Sequence, residues 1–308
     1  MKYVLEYPAE LPTASDAFLD PAVIRDVVSQ AEESGFAAVA LSEHPAPSSK
    51  WRHNGGHNTL DPIAALSYMA GFTTRIRLLT NLYVLPFRNP YLAAKALGSL
   101  DIVSGGRLIA GVGAGYLRAE FAAVGVDHDR RGELLDEALD ALRRIWADPE
   151  TPVAGVGFGA PGPLWLQSPA QRPHPPLWIG GNGRAARRRV VRHGIGWMPI
   201  IADAGMAAAM RTTAIESVEA FGAAVADLRH GLAAAGRDAD AVDIQVVCPH
   251  LDFGDTDTVL AASGYLDDLE KRGATWAVVH VDGSSPAAAT QFVKRFGAEV
   301  IAGRRGIL

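Results

Sequence analysis

Eight short apolar runs punctuate the chain, and after almost every one comes a longer segment in which apolar residues recur every three or four positions. The runs are "KYVLEY", "FAAVALSEH", "IRLLTNLYVLP", "RLIAGVGAG", "PLWIGG", "GWMPI", "DIQVVCP" and "ATWAVVHVD". They are nearly continuous rather than alternating in polarity, which belongs to strands covered on both faces and therefore to a parallel sheet. The expected fold class is α/β, a (β/α)8 TIM barrel, although an open doubly wound sheet would give much the same one-dimensional pattern.

The intervening segments carry helix signals. In "DPAVIRDVVSQAEESG", Val23, Val27 and Ala31 fall on one face and Gly35 ends the element; Leu135, Leu139, Leu142 and Trp146 do the same in "RGELLDEALDALRRIWAD". Asp61 with Pro62, and Asn89 with Pro90, are N-cap and first-turn pairs. A single long helical region is expected from about Gly205 to Ala235. The rhythm lapses only in the Gly- and Pro-rich stretch from Pro149 to Pro176, which is too long for a passive connection and is read as an insertion with a short hairpin after the fourth βα unit. No internal repeat or linker divides the rest, so residues 1–308 are expected to form a single domain with an insertion at 149–176.

With 308 residues, 48% of them hydrophobic, the chain can bury a sizeable core. The net charge of -5 comes from mixed charges without a run of either sign, so nucleic acid and anionic membrane are not expected partners and a small-molecule substrate is. The start "MKYVLEYPAELP" lacks a signal-peptide core, and no stretch approaches transmembrane length, so the expected place is the cytoplasm. The lone cysteine, Cys248, excludes an internal disulfide and is read as a buried thiol.

In a parallel barrel, ligands meet the C-terminal ends of the strands. Four runs end in ways that suit chemistry. The second ends in "SEHP", where Glu43 and His44 offer a carboxylate and an imidazole for acid–base work. The third carries polar Thr80 and Asn81 inside what should be a buried strand, so the backbone there is either bulged or bent to meet a ligand. In the fourth, Gly113 and Gly115 would let a ring or a phosphate come close to the backbone. The fifth, "PPLWIGGNGRAARR", bares the backbone at Gly180, Gly181, Asn182 and Gly183 just before an arginine-rich helix, an arrangement suited to an anion. Arg184 and Arg188, four apart, could lie along that anion, whereas Arg187 and Arg189 read as a solvated face. His53 and His57 are separated by two glycines, which argues against an aligned pair of metal ligands, and no metal is expected. His250 and His280 are placed in the core or at its rim by default.

Together "GFAAVALSEHP", "TRIRLLTNLYVLPFRNPYLAAKALGSLDIVSGGRLIAGVGAGYLRAEFAAVGV" and "HPPLWIGGNGRAARRRVVRHGIGWMP" resemble the luciferase-like monooxygenase superfamily, particularly its branch of oxidoreductases dependent on coenzyme F420. The resemblance runs over nearly the whole chain. It implies that Gly180 to Gly183 hold the cofactor's phosphate and that the tricyclic ring lies against the bent third strand, Thr80 to Leu82, with a non-prolyl cis peptide between Asn81 and Leu82. His44 matches the histidine near the reactive carbon, preceded here by Glu43 where the deazaflavin enzymes have an aspartate. Where the sugar-phosphate dehydrogenases have a catalytic glutamate this chain has Tyr116, and it has no lysine between Lys95 and Lys271 to grip a sugar phosphate, so that activity is not expected.

The expected function is therefore hydride transfer between coenzyme F420 and a small organic substrate, with His44 as acid or base and Glu43 beside it. The alternatives are an FMN-dependent monooxygenase supplied with reduced FMN by a partner flavin reductase, and a non-catalytic flavin-binding protein. The resemblance also implies a homodimer, and an Ala- and Arg-rich composition resembles actinobacterial proteins. Trp51 and Trp165, in segments that could cover the pocket, either line it or pack those segments down.

Overall fold

The computed structural model describes residues 1–148 and 150–305. Pro149, where the expected insertion begins, and residues 306–308 of the expected domain lie outside the described residues. Eight parallel strands form the barrel: β1 (Lys2–Glu6), β2 (Ala38–Leu41), β3 (Arg77–Thr80), β4 (Leu108–Gly113), β5 (Leu177–Gly180), β6 (Gly196–Met198), β7 (Asp243–Val247) and β8 (Trp276–Val279). Each pairs with the next in chain order, and β8 pairs with β1, so the sheet closes. The closed TIM barrel is thus the outcome of the two sheet topologies that the strand pattern left open.

Helices α1 (Pro21–Glu33), α2 (Pro62–Ala70), α3 (Pro90–Val103), α4 (Arg131–Ala147), α5 (Arg184–Arg192), α6 (Val218–Ala234), α7 (Thr256–Lys271) and α8 (Pro286–Phe296) follow the strands in turn. The caps anticipated from sequence are made. Asp61 accepts from Ala64 N at 2.9 Å and Asn89 from Tyr91 N at 2.9 Å, each cap contributing about 1 kcal/mol.

Inside the barrel Val4, Ala38, Ala40, Leu79, Ile109, Trp178, Met198, Trp276 and Val278 form one cluster. The Trp178 and Trp276 rings meet edge to face at 5.1 Å. They fit because Gly196 has no side chain: a Cβ there would lie 2.1 Å from the Trp178 ring. The larger cluster lies between strands and helices and includes the buried Cys248.

The expected long helix over 205–235 is interrupted. A short helix, Ala204–Ala209, ends at Met210, and Arg211 takes a left-handed φ of 53°, which a continuing helix cannot accommodate. Residues 212–216 then return antiparallel, pairing Ile215 with Ala202, before α6 begins at Val218. Within the 149–176 stretch, Ala154–Gly155 and Phe158–Gly159 form a hairpin around Gly157, whose φ is 75°. Among the described residues no helix is long and apolar enough to cross a membrane.

Candidate functional site at the barrel mouth

The two residues that sequence reading paired, Glu43 and His44, point apart. They follow β2 in succession, and consecutive residues of an extended segment face opposite sides. Glu43 is 6% exposed; its carboxylate accepts from Val84 N at 2.6 Å and pairs with the Arg88 guanidinium, which stacks on the Tyr83 ring at 3.9 Å. Burial pushes the Glu43 carboxyl up from its ordinary range against the pull of Arg88. Glu43 thus braces the strand end at 83–84 and does not touch the imidazole, a correction to the expected acid–base pair.

The partner of His44 is Glu120. His44 Nδ1 lies 3.2 Å from Glu120 Oε1 and 3.4 Å from Oε2, and Glu120 is 2% exposed on the short helix Arg118–Ala123. The imidazole lines a pocket. Trp51 packs on the ring at 4.4 Å, with His57 at 5.2 Å and Tyr116 at 6.0 Å, and a depression of about 320 Å³ opens beside it between His44, Arg52, His57 and Thr59. Trp51 therefore packs its segment onto the site, while Trp165 is 80% exposed.

After β3 the peptide between Asn81 and Leu82 is cis, at the position the resemblance indicated. The Leu82 side chain is folded across the barrel, and a Cβ on Gly113 or Gly180 would meet its Cδ1 at 2.8 and 2.2 Å. Those two glycines make room for Leu82. Gly115, expected to do the same as Gly113, makes room for Val84 and Phe121. Thr80 is fully buried, and its hydroxyl donates to Gly111 O at 2.8 Å across the β3–β4 pair. Thr80, Gly113 and Gly115 thus each have a packing or hydrogen-bonding role at the bend itself.

The fifth strand end keeps its open backbone. Gly181 takes a φ of 109°, and a Cβ there would meet nothing closer than Ala186 at 3.5 Å. Gly183 is the N-cap of α5 and has no side chain to cap it, which leaves the first N–H groups of the helix suited to an anion. Asn182 departs from expectation. It is buried, and its amide bridges Ile200 N (2.8 Å), Ile200 O (2.7 Å) and Thr213 O (2.7 Å), pinning the turn to the interrupted helical region. Arg187 and Arg189, read as a solvated face, instead bind Asp227 on α6 and Asp136 on α4 at 2.7 and 2.6 Å. Arg184 and Arg188 are exposed, and Arg184 stands in the first turn.

Two further carboxylates were not anticipated. Glu6 at the end of β1 binds His280 at 2.5 Å and accepts from Asn81 Nδ2 at 3.2 Å. Glu10, in the turn after β1, accepts from Ser42 N at 2.8 Å and from the Thr59 hydroxyl at 2.7 Å. Burial first, and then the charge of Glu6, push Glu10 up to about 8. Glu6 was legible as an acid ending an apolar run; Glu120 sits in an ordinary-looking helical stretch, and only the fold brings it to His44. Among the described residues no trio of His, Cys, Asp or Glu side chains is placed to hold a metal ion.

The architecture is that of a TIM barrel with a polar, histidine- and carboxylate-lined mouth at the strand C-termini. More particularly, the family model described as luciferase-like monooxygenase matches residues 1–297, and the chain belongs to that family. It is 30% identical over 190 residues to an F420-dependent glucose-6-phosphate dehydrogenase of Gordonia bronchialis, covering 60% of this chain and 54% of that protein. It is also 30% identical over 166 residues to an FMNH(2)-dependent dimethylsulfone monooxygenase of Pseudomonas putida, covering 53% and 44%. The matches span about half the length of these curated relatives. Among solved structures, monooxygenase RslO1 from Streptomyces bottropensis superposes with a TM-score of 0.77 at 22% identity over 99% of this chain and all of that one, a likeness of fold.

Proposed function

We propose that this chain transfers a hydride between coenzyme F420 and a small organic substrate at the barrel mouth. The observation that carries this reading is the His44–Glu120 pair on the pocket wall. Moving a hydride to or from a carbon that bears oxygen requires a proton to be given or taken at that oxygen. An imidazole on the pocket wall, with one nitrogen fixed by a buried carboxylate and the other left to exchange a proton, is suited to that task. Gly181, Gly183 and the N–H groups opening α5 suit the cofactor's phosphate, with Arg184 as a nearby cation, and Leu82 offers an apolar bed for its ring. When bound, the deazaflavin supplies the carbon that carries the hydride.

The Gordonia relative supports the deazaflavin and the Pseudomonas relative supports FMN, at the same identity. The second reading is therefore an FMN-dependent monooxygenase served by a partner reductase. A sugar phosphate remains outside the proposal. Glu120 supplies the carboxylate that Tyr116 does not, so the first argument against it loses force, but no lysine lies between Lys95 and Lys271 to hold the phosphate.

The proposal includes a homodimer, supported by the exposed apolar Leu92 and Val103 on α3. The test is titration with oxidised F420 and, in parallel, FMN, following fluorescence quenching. Micromolar binding of the deazaflavin with weak FMN binding supports hydride transfer, and the opposite preference supports the monooxygenase. Binding of neither sinks the anion-turn reading.

A further inference from the structure

On the β8 side of the mouth, four polar side chains form a chain across the barrel. Gln245 Nε2 on β7 donates to Asn81 Oδ1 at 3.4 Å, Asn81 Nδ2 donates to Glu6 Oε1 at 3.2 Å, and His280 Nε2 donates to Glu6 Oε2 at 2.5 Å. Glu6 sets the direction of the bonds. An ionised carboxylate only accepts, so Asn81 must turn its NH2 to Glu6 and leave its carbonyl oxygen to Gln245, and His280 must carry a proton on Nε2. The interior of such a barrel is ordinarily filled with branched apolar side chains, and polar groups at strand C-termini are where ligands are met.

The charges are arranged to favour the protonated form of His280 at the rim. Burial, the largest single influence, pushes the Glu6 carboxyl up, but the hydrogen bond and charge of His280, the charge of His57 and the Asn81 hydrogen bond together outweigh it and the net shift is downward. Glu10 beside it is pushed up to about 8 and is mainly neutral at pH 7, so one carboxylate faces one imidazole. The Glu6 bond holds the His280 proton above the usual histidine range.

His280 is 45% exposed, and among the described residues nothing accepts a hydrogen bond from its Nδ1. The ring lines a cleft of about 800 Å³ whose walls include Leu11, Val281 and Phe292, a size that suits a small organic ligand. The cleft's own carboxylates turn back on the backbone, Asp282 to Ser284 N at 2.9 Å and Asp252 to Gly254 N at 2.7 Å. Arg295 is taken up by Glu299 at 2.8 Å.

We propose that His280, positioned by Glu6, is the substrate-recognition residue of this mouth: its Nδ1–H donates to a carbonyl or carboxylate oxygen of a small molecule whose apolar body lies against Leu11, Val281 and Phe292. The inference rests on reading the mouth as a reaction site, and it names the class of substrate taken there.

The test uses cofactor-free protein with labelled histidines, its His280 ring signals assigned by comparison with His280→Gln. Three probes of similar apolar body are titrated: acetophenone, benzoate and benzylamine. Acetophenone, benzoate or both should shift the His280 signals, benzylamine should not, and His280→Gln should weaken binding about tenfold. Which of the two binds separates a neutral carbonyl from an anion. Glu6→Gln, which keeps the ring but removes its anchor, should weaken binding too. Equal binding of benzylamine, unchanged binding in His280→Gln, or absence of any His280 shift would overturn the proposal. A parallel F420 titration of the wild type keeps the two readings apart, because loss of cofactor binding would strike hydride transfer while the probe result stands.

Discussion

His44 Nδ1 lies 3.2 Å from Glu120 Oε1, although 76 positions separate the two residues. Glu120 is buried and holds Nδ1, so it fixes the ring's orientation and leaves Nε2 as the nitrogen that the proposed reaction would use. Glu120→Gln should leave F420 affinity unchanged and lower turnover by about 10²-fold, the usual scale for a positioned acid or base. Steady-state rates beside quenching titrations check this. An unchanged rate would remove the pair from the mechanism, and lost cofactor binding would make Glu120 a folding residue.

Glu43 acts through structure. Arg88→Ala leaves the Glu43 carboxylate buried without its cation, and loss of one partner from a buried ion pair typically costs about 3–5 kcal/mol. The urea midpoint should fall accordingly. Glu43→Leu with Arg88→Met should recover much of the loss, because both charges are then gone. A double variant no more stable than Arg88→Ala would argue that the charges themselves hold the strand end.

Glu10 gives the protein a pH dependence of defined sign. Its carboxyl moves from an ordinary 4.5 up to about 8 in the fold, so the folded state keeps a proton that the unfolded chain releases. That contribution is complete below pH 4.5 and is lost as pH rises through about 8, at roughly 1.4 kcal/mol per pH unit between the two. Denaturant midpoints at about pH 5 and about pH 9 should therefore fall more in the wild type than in Glu10→Gln. Equal falls would show that Glu10 is ionised in the folded protein.

Gly180→Ala places a Cβ 2.2 Å from Leu82 Cδ1, so Leu82 must move or the strands must part. Overpacking of this kind costs about 1–3 kcal/mol, and F420 binding should weaken together with stability. Arg184→Glu, at an exposed position, should weaken binding without affecting the melting temperature, and the loss should shrink in high salt. Intact F420 affinity in both variants would place the cofactor elsewhere.

The alternation of apolar runs with helical segments was enough to specify β1–β8 and their helices, since burial on both faces and helical periodicity are written locally. Asp61 and Asn89 were legible as caps for the same reason, and the open turn at Gly181 and Gly183 because backbone freedom is a property of the glycines themselves. Whether the sheet closes depends on β8 reaching β1, more than 270 positions away, and no local pattern records that. The partners of the charged groups were hidden likewise. His44 and Glu43 are neighbours in the chain, yet extended backbone sends them to opposite sides, to Glu120 and Arg88. A side chain's type is local, whereas its partner is decided by which strands and loops the closed barrel brings within about 3 Å.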